Sequence, residues 1–298
     1  MTACVICVGI AVIDRVFELP ALPPGPGKFT AQGHRDTGGG MGATAAVAIA
    51  ALGGRAAWCG RLGADETGAA LLALFARHGV DTAASVAGGR TPTSGVFVDA
   101  AGERMLAVFP GESLPDEPGF DAGLLDGAGA VLADPRWVAG SERLLRLAAA
   151  RGLPRVLDAD TGGRDAMRRL APLADHVVFS QRGLADFTGV DSPEAGLRDA
   201  AAELAGTVAV TLGERGSLWW RDGGIVPLPA PRVAARDTTG CGDVFHGAYA
   251  LALAEGAGVP GAARFATATA ALKAERGNGW DGMPDRASVE RLLGKGWG

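Results

Sequence analysis

The chain has 298 residues, 48% of them hydrophobic and 20% charged, with a formal net charge of −5. At roughly 150 residues per domain this is one large domain or two modest ones, with enough apolar material for a full core, so general disorder is excluded. The acidic balance and the lack of any Lys/Arg-rich run exclude nucleic acid as the expected partner.

The first apolar run, Cys4 to Val8, reads as a strand. Cys4 and Cys7 have C-x-x-C spacing, but residues i and i+3 of a strand point to opposite faces, so two buried thiols are expected rather than a redox couple. With Cys59 and Cys241 they make four cysteines in all, which is no disulfide framework. No basic segment precedes the run and Asp14 follows it closely, against a signal peptide. No stretch of about 20 apolar residues suits a membrane span. A soluble cytoplasmic protein is expected. Residues 15–38 carry Pro20, Pro23, Pro24 and Pro26, then a polar extended stretch from Lys28 to Thr37. Residues 93–108 read as a hairpin, Ser94 to Asp99 and Arg104 to Val108, around a turn at Ala100-Ala101-Gly102-Glu103. Together they predict a small sheet standing off the main body, suited to a lid that excludes water.

From about residue 130 short apolar runs alternate with helical patterns, as in a parallel sheet covered by helices on both faces. The clearest helix starts at Ser141 as N-cap, places Leu144, Leu145 and Ala148 on one face and stops at Gly152. The strands end in polar residues: Asp134, then Asp158 with Asp160, then Ser180, then Thr211 followed by Gly213. Ligands of open α/β sheets bind beyond the carboxyl ends of the strands. A further hairpin is expected around Trp219 to Gly224. His34, His78, His176 and His246 show no metal-ligand spacing and read as surface or structural residues.

Asp237-Thr238-Thr239-Gly240-Cys241-Gly242-Asp243 is a glycine-containing turn leading into a helical pattern. The first N–H groups of a helix lack intrahelical partners and attract anions. Gly240 and Gly242 let the backbone approach a phosphate without a Cβ clash. A carboxylate at Asp243 would repel that phosphate unless it takes a proton from an attacking hydroxyl while the N–H groups hold the transferred charge. Read alone, the turn also fits a plain helix cap. A Rossmann dehydrogenase fits poorly, because Ile10, Ala11 and Val12 follow Gly9 where G-x-G-x-x-G is needed. No P-loop surrounds any of the three lysines.

Residues 237–248, DTTGCGDVFHGA, resemble the C-terminal signature of the ribokinase-like, or PfkB, carbohydrate kinases, with Cys241 where that family has a small residue. The resemblance extends over nearly the whole chain. It includes Gly9 with Asp14, Gly38 to Thr44, Gly60 to Gly68, Gly102-Glu103-Arg104, and Val210 to Gly213 with Gly216. It implies a single three-layer α/β kinase domain, with a mostly parallel central sheet and a small β-sheet lid formed by about 15–38 and 93–108. It also implies ATP and Mg²⁺ as cofactors, K⁺ being left open. Asp243 would be the catalytic base and Gly240, Cys241 and Gly242 the anion hole. Asp14, Gly39, Gly40 and Thr44 would face the sugar. Ser180, Thr211, Gly213, Gly216, Ala268, Ala271 and Asn278 would line the nucleotide site.

Two departures stand out. Thr44 replaces the family's Asn, and Ser180-Gln181-Arg182-Gly183 replaces its Asn-x-x-Glu, which moves Mg²⁺ to Asp158 or Asp160, or to waters. The sulfofructose kinases share both departures. The chain resembles them further at Gly38 to Ala48, Ala133-Asp134-x-Arg136-Trp137 and Leu157-Asp158-x-Asp160. By that resemblance Lys28 and Arg136 would grip a sulfonate, and Val108 stands where that subgroup has Asn. The expectation is a kinase for an anionic ketohexose such as 6-deoxy-6-sulfofructose. A neutral ketohexose, a sugar phosphate, a nucleoside, or a non-catalytic sugar-binding role stays open, as does a homodimer through the lid.

Overall fold

A computed structural model describes residues 2–100 and 103–297. Its strands are, in chain order, β1 (Cys4–Val8), β2 (Val12–Leu19), β3 (Gly33–Gly39), β4 (Arg55–Cys59), β5 (Arg61–Leu62), β6 (Val80–Asp81), β7 (Val86–Ala87), β8 (Thr93–Asp99), β9 (Arg104–Phe109), β10 (Ala130–Ala133), β11 (Arg155–Ala159), β12 (His176–Ser180), β13 (Thr207–Thr211), β14 (Ser217–Arg221) and β15 (Gly224–Leu228). The helices are α1 (Met41–Ala51), α2 (Glu66–Arg77), α3 (Val138–Ala150), α4 (Arg164–Leu170), α5 (Gln181–Thr188), α6 (Pro193–Glu203), α7 (Cys241–Ala254), α8 (Val259–Arg276) and α9 (Arg286–Lys295).

The central sheet runs β15-β14-β13-β12-β11-β10-β1-β4-β6. It is parallel from β6 to β13 and antiparallel at β14 and β15. Parallel strands covered on both faces need continuous apolar runs, and β1 is buried throughout. Its alternate residues feed two cores. Val5 and Cys7 join Trp58, Ile49, Phe245, Tyr249 and Phe265. Cys4, Ile6 and Val8 join Leu144, Leu145, Leu170, Phe187 and Leu197. Cys4 and Cys7 therefore lie in opposite layers, and all four cysteines are free thiols. Helix α1 is buried from Met41 to Ile49 because it lies between the sheet and α7, which explains a sequence of small apolar residues with no polar face.

The smaller sheet runs β3-β2-β8-β9, with β2 and β8 parallel and the outer pairs antiparallel. Ala101 and Gly102, part of the expected turn, lie outside the described residues. The hairpin of β14 and β15 is present. Among the described residues no helix is long and apolar enough to cross a membrane.

The expected N-cap at Ser141 is corrected. Helix α3 begins at Val138 with Trp137 as its cap, and Ser141 is buried in the first turn, its hydroxyl donating to Asp134 O at 2.6 Å. Asp134, fully buried past β10, organises this rim. Its Oδ2 accepts from Ile10 N (2.8 Å) and Gly42 N (2.9 Å), and its Oδ1 from Arg136 N (2.8 Å). One carboxylate thus fixes the ends of β1 and β10 to the start of α1. Burial pushes its pKa up to about 6, against those three N–H groups. In Asp134→Asn the amide turns its own donors toward a backbone N–H. The cost of about 1–3 kcal/mol should appear as a lower urea midpoint at unchanged slope, and an unchanged midpoint removes Asp134 from this role.

Candidate active site

The 237–243 segment folds as its composition suggests. Asp237 Oδ1 accepts from Thr239 N at 2.8 Å and Thr239 Oγ1 at 2.5 Å, an Asx turn. Gly240 then takes the left-handed conformation, φ 72°, as N-cap of α7. The Cys241 N–H donates to Thr238 O at 3.3 Å. Asp243 lies half-buried in the first turn of α7. Burial and then the neighbouring Asp158 carboxylate push its pKa up to about 8, with His246 pulling the other way. Asp237 is held below its ordinary value: burial raises it, but the Thr239 hydroxyl and N–H, Lys273 and Arg104 outweigh that.

On one side of this turn is a cavity of about 510 Å³, lined by Asp14, Gly38, Gly39, Gly40, Thr44, Asp237, Gly240, Asp243, Lys273, Asn278 and Trp280 among others. Asp14 stands opposite Ser94 of β8 and Thr37 of β3, and the Ser94 hydroxyl donates to its carboxylate. Burial raises the Asp14 pKa. The glycines beside it are forced by space. A Cβ on Gly39 would lie 2.3 Å from Asp14 Oδ2, and Gly40 has φ 95° with Ile10 O at 2.5 Å from a Cβ. Thr44 Oγ1 accepts from Trp280 Nε1 at 3.0 Å, which leaves its own hydrogen free to donate.

On the other side is a cavity of about 710 Å³, lined by Thr211, Gly213, Gly216, Thr238, Cys241, Gly242 and Ala271 among others. Neighbouring residues of one turn therefore line both cavities, each within the roughly 300–1,000 Å³ of small-ligand sites. Burial pushes the Cys241 thiol up to about 11, so it is protonated at neutral pH.

Several expected site residues lie elsewhere. Asn278 lines the cavity of Asp14, not that of Thr211. Ala268 is fully buried and lines neither. Ser180 also lines neither; its hydroxyl donates to Asp160 Oδ1 at 2.6 Å and caps α5. Lys28 is exposed on the loop between β2 and β3, and Arg136 reaches Thr161 Oγ1 at 3.0 Å, so neither cation lines the Asp14 cavity. Asp158 and Asp160 line neither cavity, and among the described residues no group of three or more acidic, His or Cys side chains is arranged to hold a metal. Both oxygens of the buried Asp158 lack a hydrogen-bond donor. Its Oδ2 is 3.2 Å from His246 Nδ1, which sits 2.7 Å from Gly242 O, while Nε2 sits 3.0 Å from Val178 O. His246 thus ties the start of α7 to β12, the structural role expected for it.

Three residues of this region were given no site role by sequence, although Arg104 belongs to the Gly102-Glu103-Arg104 segment of the resemblance. Arg104 of β9 donates to Asp237 Oδ1 and Thr238 Oγ1, both at 3.2 Å, and joins the small sheet to the turn. Trp280 packs against Phe75 and bonds Thr44. Lys273 is buried in the cleft wall. A glycine-rich stretch after an Ala-rich helix was the only signal for the last two.

The chain matches the model of the pfkB family carbohydrate kinases over residues 2–286. It is 27% identical over 295 residues to the ribokinase of Bacillus subtilis strain 168, covering 97% of this chain and 99% of that one. It is 32% identical over 251 residues to a fructokinase of Klebsiella pneumoniae, covering 78% and 80%. The fold superimposes with a TM-score of 0.95 on a candidate ribokinase from Agrobacterium tumefaciens, at 33% identity over 99% and 98% of the chains. For an Arabidopsis thaliana ribokinase solved with ribose and ATP the TM-score is 0.85, at 27% identity over 98% and 99%. The chain belongs to the pfkB family of carbohydrate kinases, phosphotransferases with an alcohol acceptor, and has their ribokinase-like α/β fold.

Proposed function

We propose that the chain transfers the γ-phosphoryl group of ATP to the primary hydroxyl of an anionic ketohexose, with 6-deoxy-6-sulfofructose as acceptor and its C1 hydroxyl attacking. One observation carries the transfer step: Asp243 sits at the start of α7, where the cavity of Asp14 and the cavity of Thr211, Gly213 and Gly216 share one turn. The acceptor hydroxyl, oriented by Asp14 and the Gly39–Gly40 backbone, gives its proton to the Asp243 carboxylate. Its oxygen bonds to the γ-phosphorus as the bond from phosphorus to the ADP oxygen breaks. Helix-start N–H groups at 240–242 hold the charge on the moving group. Asp158, whose buried oxygens lack a hydrogen-bond donor, and the neighbouring Asp160 would hold a divalent cation partly through water, and Mg²⁺ there would neutralise phosphate charge.

Arg104 supports the small sheet as a lid, since it links β9 to the turn that carries the anion hole. Phe29, Met105, Leu106 and Val108 are 46–63% exposed on that lid, and a second copy of the chain would cover them. The sulfonate part of the reading rests on the Lys28 and Arg136 motifs. A second reading, a neutral ketohexose, is favoured by the placement of both cations outside the Asp14 cavity.

Asp243→Asn should lower kcat by about 10²–10⁴-fold with cooperative unfolding retained, and a fully active variant sinks the proposal. Protonated Asp243 cannot accept the hydroxyl proton, so kcat/KM should fall as pH falls. The limb should lie toward about 8 rather than near the ordinary 3.8, as burial and Asp158 dictate. ATP consumption with sulfofructose, fructose, fructose phosphates, ribose and adenosine decides the acceptor. Sulfofructose should lead, and Arg136→Ala should cut its kcat/KM by about tenfold or more. Neutral fructose leading in both proteins establishes the second reading.

A further inference from the structure

Of the three lysines, Lys28 and Lys295 are exposed, whereas Lys273 is 1% exposed inside α8. Burying an ammonium is costly unless it is paired and hydrogen-bonded. An ammonium has three donors. Among the described residues the one acceptor in hydrogen-bond reach of Nζ is Gly277 O, at 3.1 Å. Lys273 also lines the Asp14 cavity, so a cation bonded once to protein is set in the wall of the acceptor cleft.

Its surroundings show what it acts on. The end of α8 carries the turn: Arg236 N and Asp237 N both donate to Ala274 O, at 2.8 and 3.2 Å. Gly277 lies directly against Asp237, where an added Cβ would come within 3.1 Å of the Asp237 Cβ. Burial lowers the Lys273 pKa. Asp237 and Asp243 favour its charged form, and Arg104 opposes it. Asp237 begins the turn and Asp243 ends it, so the carboxylates at both ends of the turn favour the charge on Lys273.

We propose that Lys273 is a built-in monovalent cation of the phosphoryl-transfer turn, a positioning residue that neutralises Asp237 and holds the 237–242 amides in place, so that turnover needs no K⁺. This rests on the kinase reading above. The acceptors a free K⁺ would seek here are taken: Asp237 Oδ1 by Thr239 and Arg104, and Gly277 O by Lys273. The resemblance leaves K⁺ open, and these residues do not fit it.

The test compares the full-length chain with Lys273→Ala and Lys273→Met in KCl, NH₄Cl, NaCl and tetramethylammonium chloride at equal ionic strength. The wild type should turn over within about twofold in all four salts. Lys273→Ala in tetramethylammonium should lose about 10- to 100-fold in kcat, and K⁺ or NH₄⁺, entering the space left by the side chain, should restore part of it. Lys273→Met fills that space with apolar atoms and should stay low in every salt. Thermal unfolding supplies a readout independent of turnover: K⁺ should raise the midpoint of Lys273→Ala above its tetramethylammonium value and leave the wild type unmoved. A wild type that needs K⁺, a folded Lys273→Met with wild-type kcat, or a folded Lys273→Ala indifferent to the cation in both readouts overturns the proposal. A wild type that phosphorylates no sugar in any salt defeats the kinase reading instead, and the unfolding midpoints still decide the role of Lys273.

Discussion

The rest of the molecule is arranged around a carboxylate placed where negative charge is hardest to hold. Asp243 is half-buried at the rim of the sheet, and Asp134, Asp158 and Asp160 lie near enough to raise its pKa. Four acidic groups in one low-dielectric region repel one another strongly. The fold answers with fixed positive ends rather than with ion pairs at Asp243 itself. Asp134 takes three backbone N–H groups. Asp243 sits in the first turn of α7, where the helix dipole favours an anion. Lys273 stands behind the turn. The carboxylate stays only partly stabilised, which is the condition for it to accept a proton near neutral pH.

The two sheets divide the work of surrounding it. The central sheet supplies polar strand tips at Asp134, Asp158 and Thr211 and the helix that follows them. The small sheet supplies Asp14, set by its register against Ser94 and Thr37. The cleft lies between the sheets, so anything that shifts the small sheet moves Asp14 relative to Asp243. Arg104 is the direct bond from the outer strand of that sheet to the turn. Gly38 to Gly40 cross between the two bodies where side chains would collide with Trp280, Asp14 and Ile10.

Much of this was legible in the sequence because it is local. The strand tips follow from apolar runs ending in a polar residue, and β8 with β9 from two extended runs flanking Ala100-Ala101-Gly102-Glu103. The 237–243 turn follows from its glycines. What stayed hidden depends on distant partners. Ser141 has the composition of a cap, but the helix gains one more turn because the Ser141 hydroxyl is better used on Asp134 O. Lys273 lies in an Ala-rich segment where a solvent-facing position is the ordinary expectation, yet it is internal and bonded to Gly277 O. Asn278 and Ala268 are near the cavities in sequence, yet one faces the other cavity and one faces the core.

The charge of the acceptor can be argued from how the cleft spends its own cations. Arg35 is paired with Glu18, Arg104 with Asp237, and Arg276 with Asp285. Lys273 is turned to Gly277 O. Of the cationic side chains lining the Asp14 cavity, Arg236 alone has no hydrogen-bond or ion-pair partner among the described residues. A cleft whose cations are otherwise committed to its own structure has little charge left for an acidic sugar. Arg136 is bonded to Thr161 through an exposed contact, Lys28 is exposed on the loop between β2 and β3, and neither lines the cavity, so neither adds positive charge to its walls.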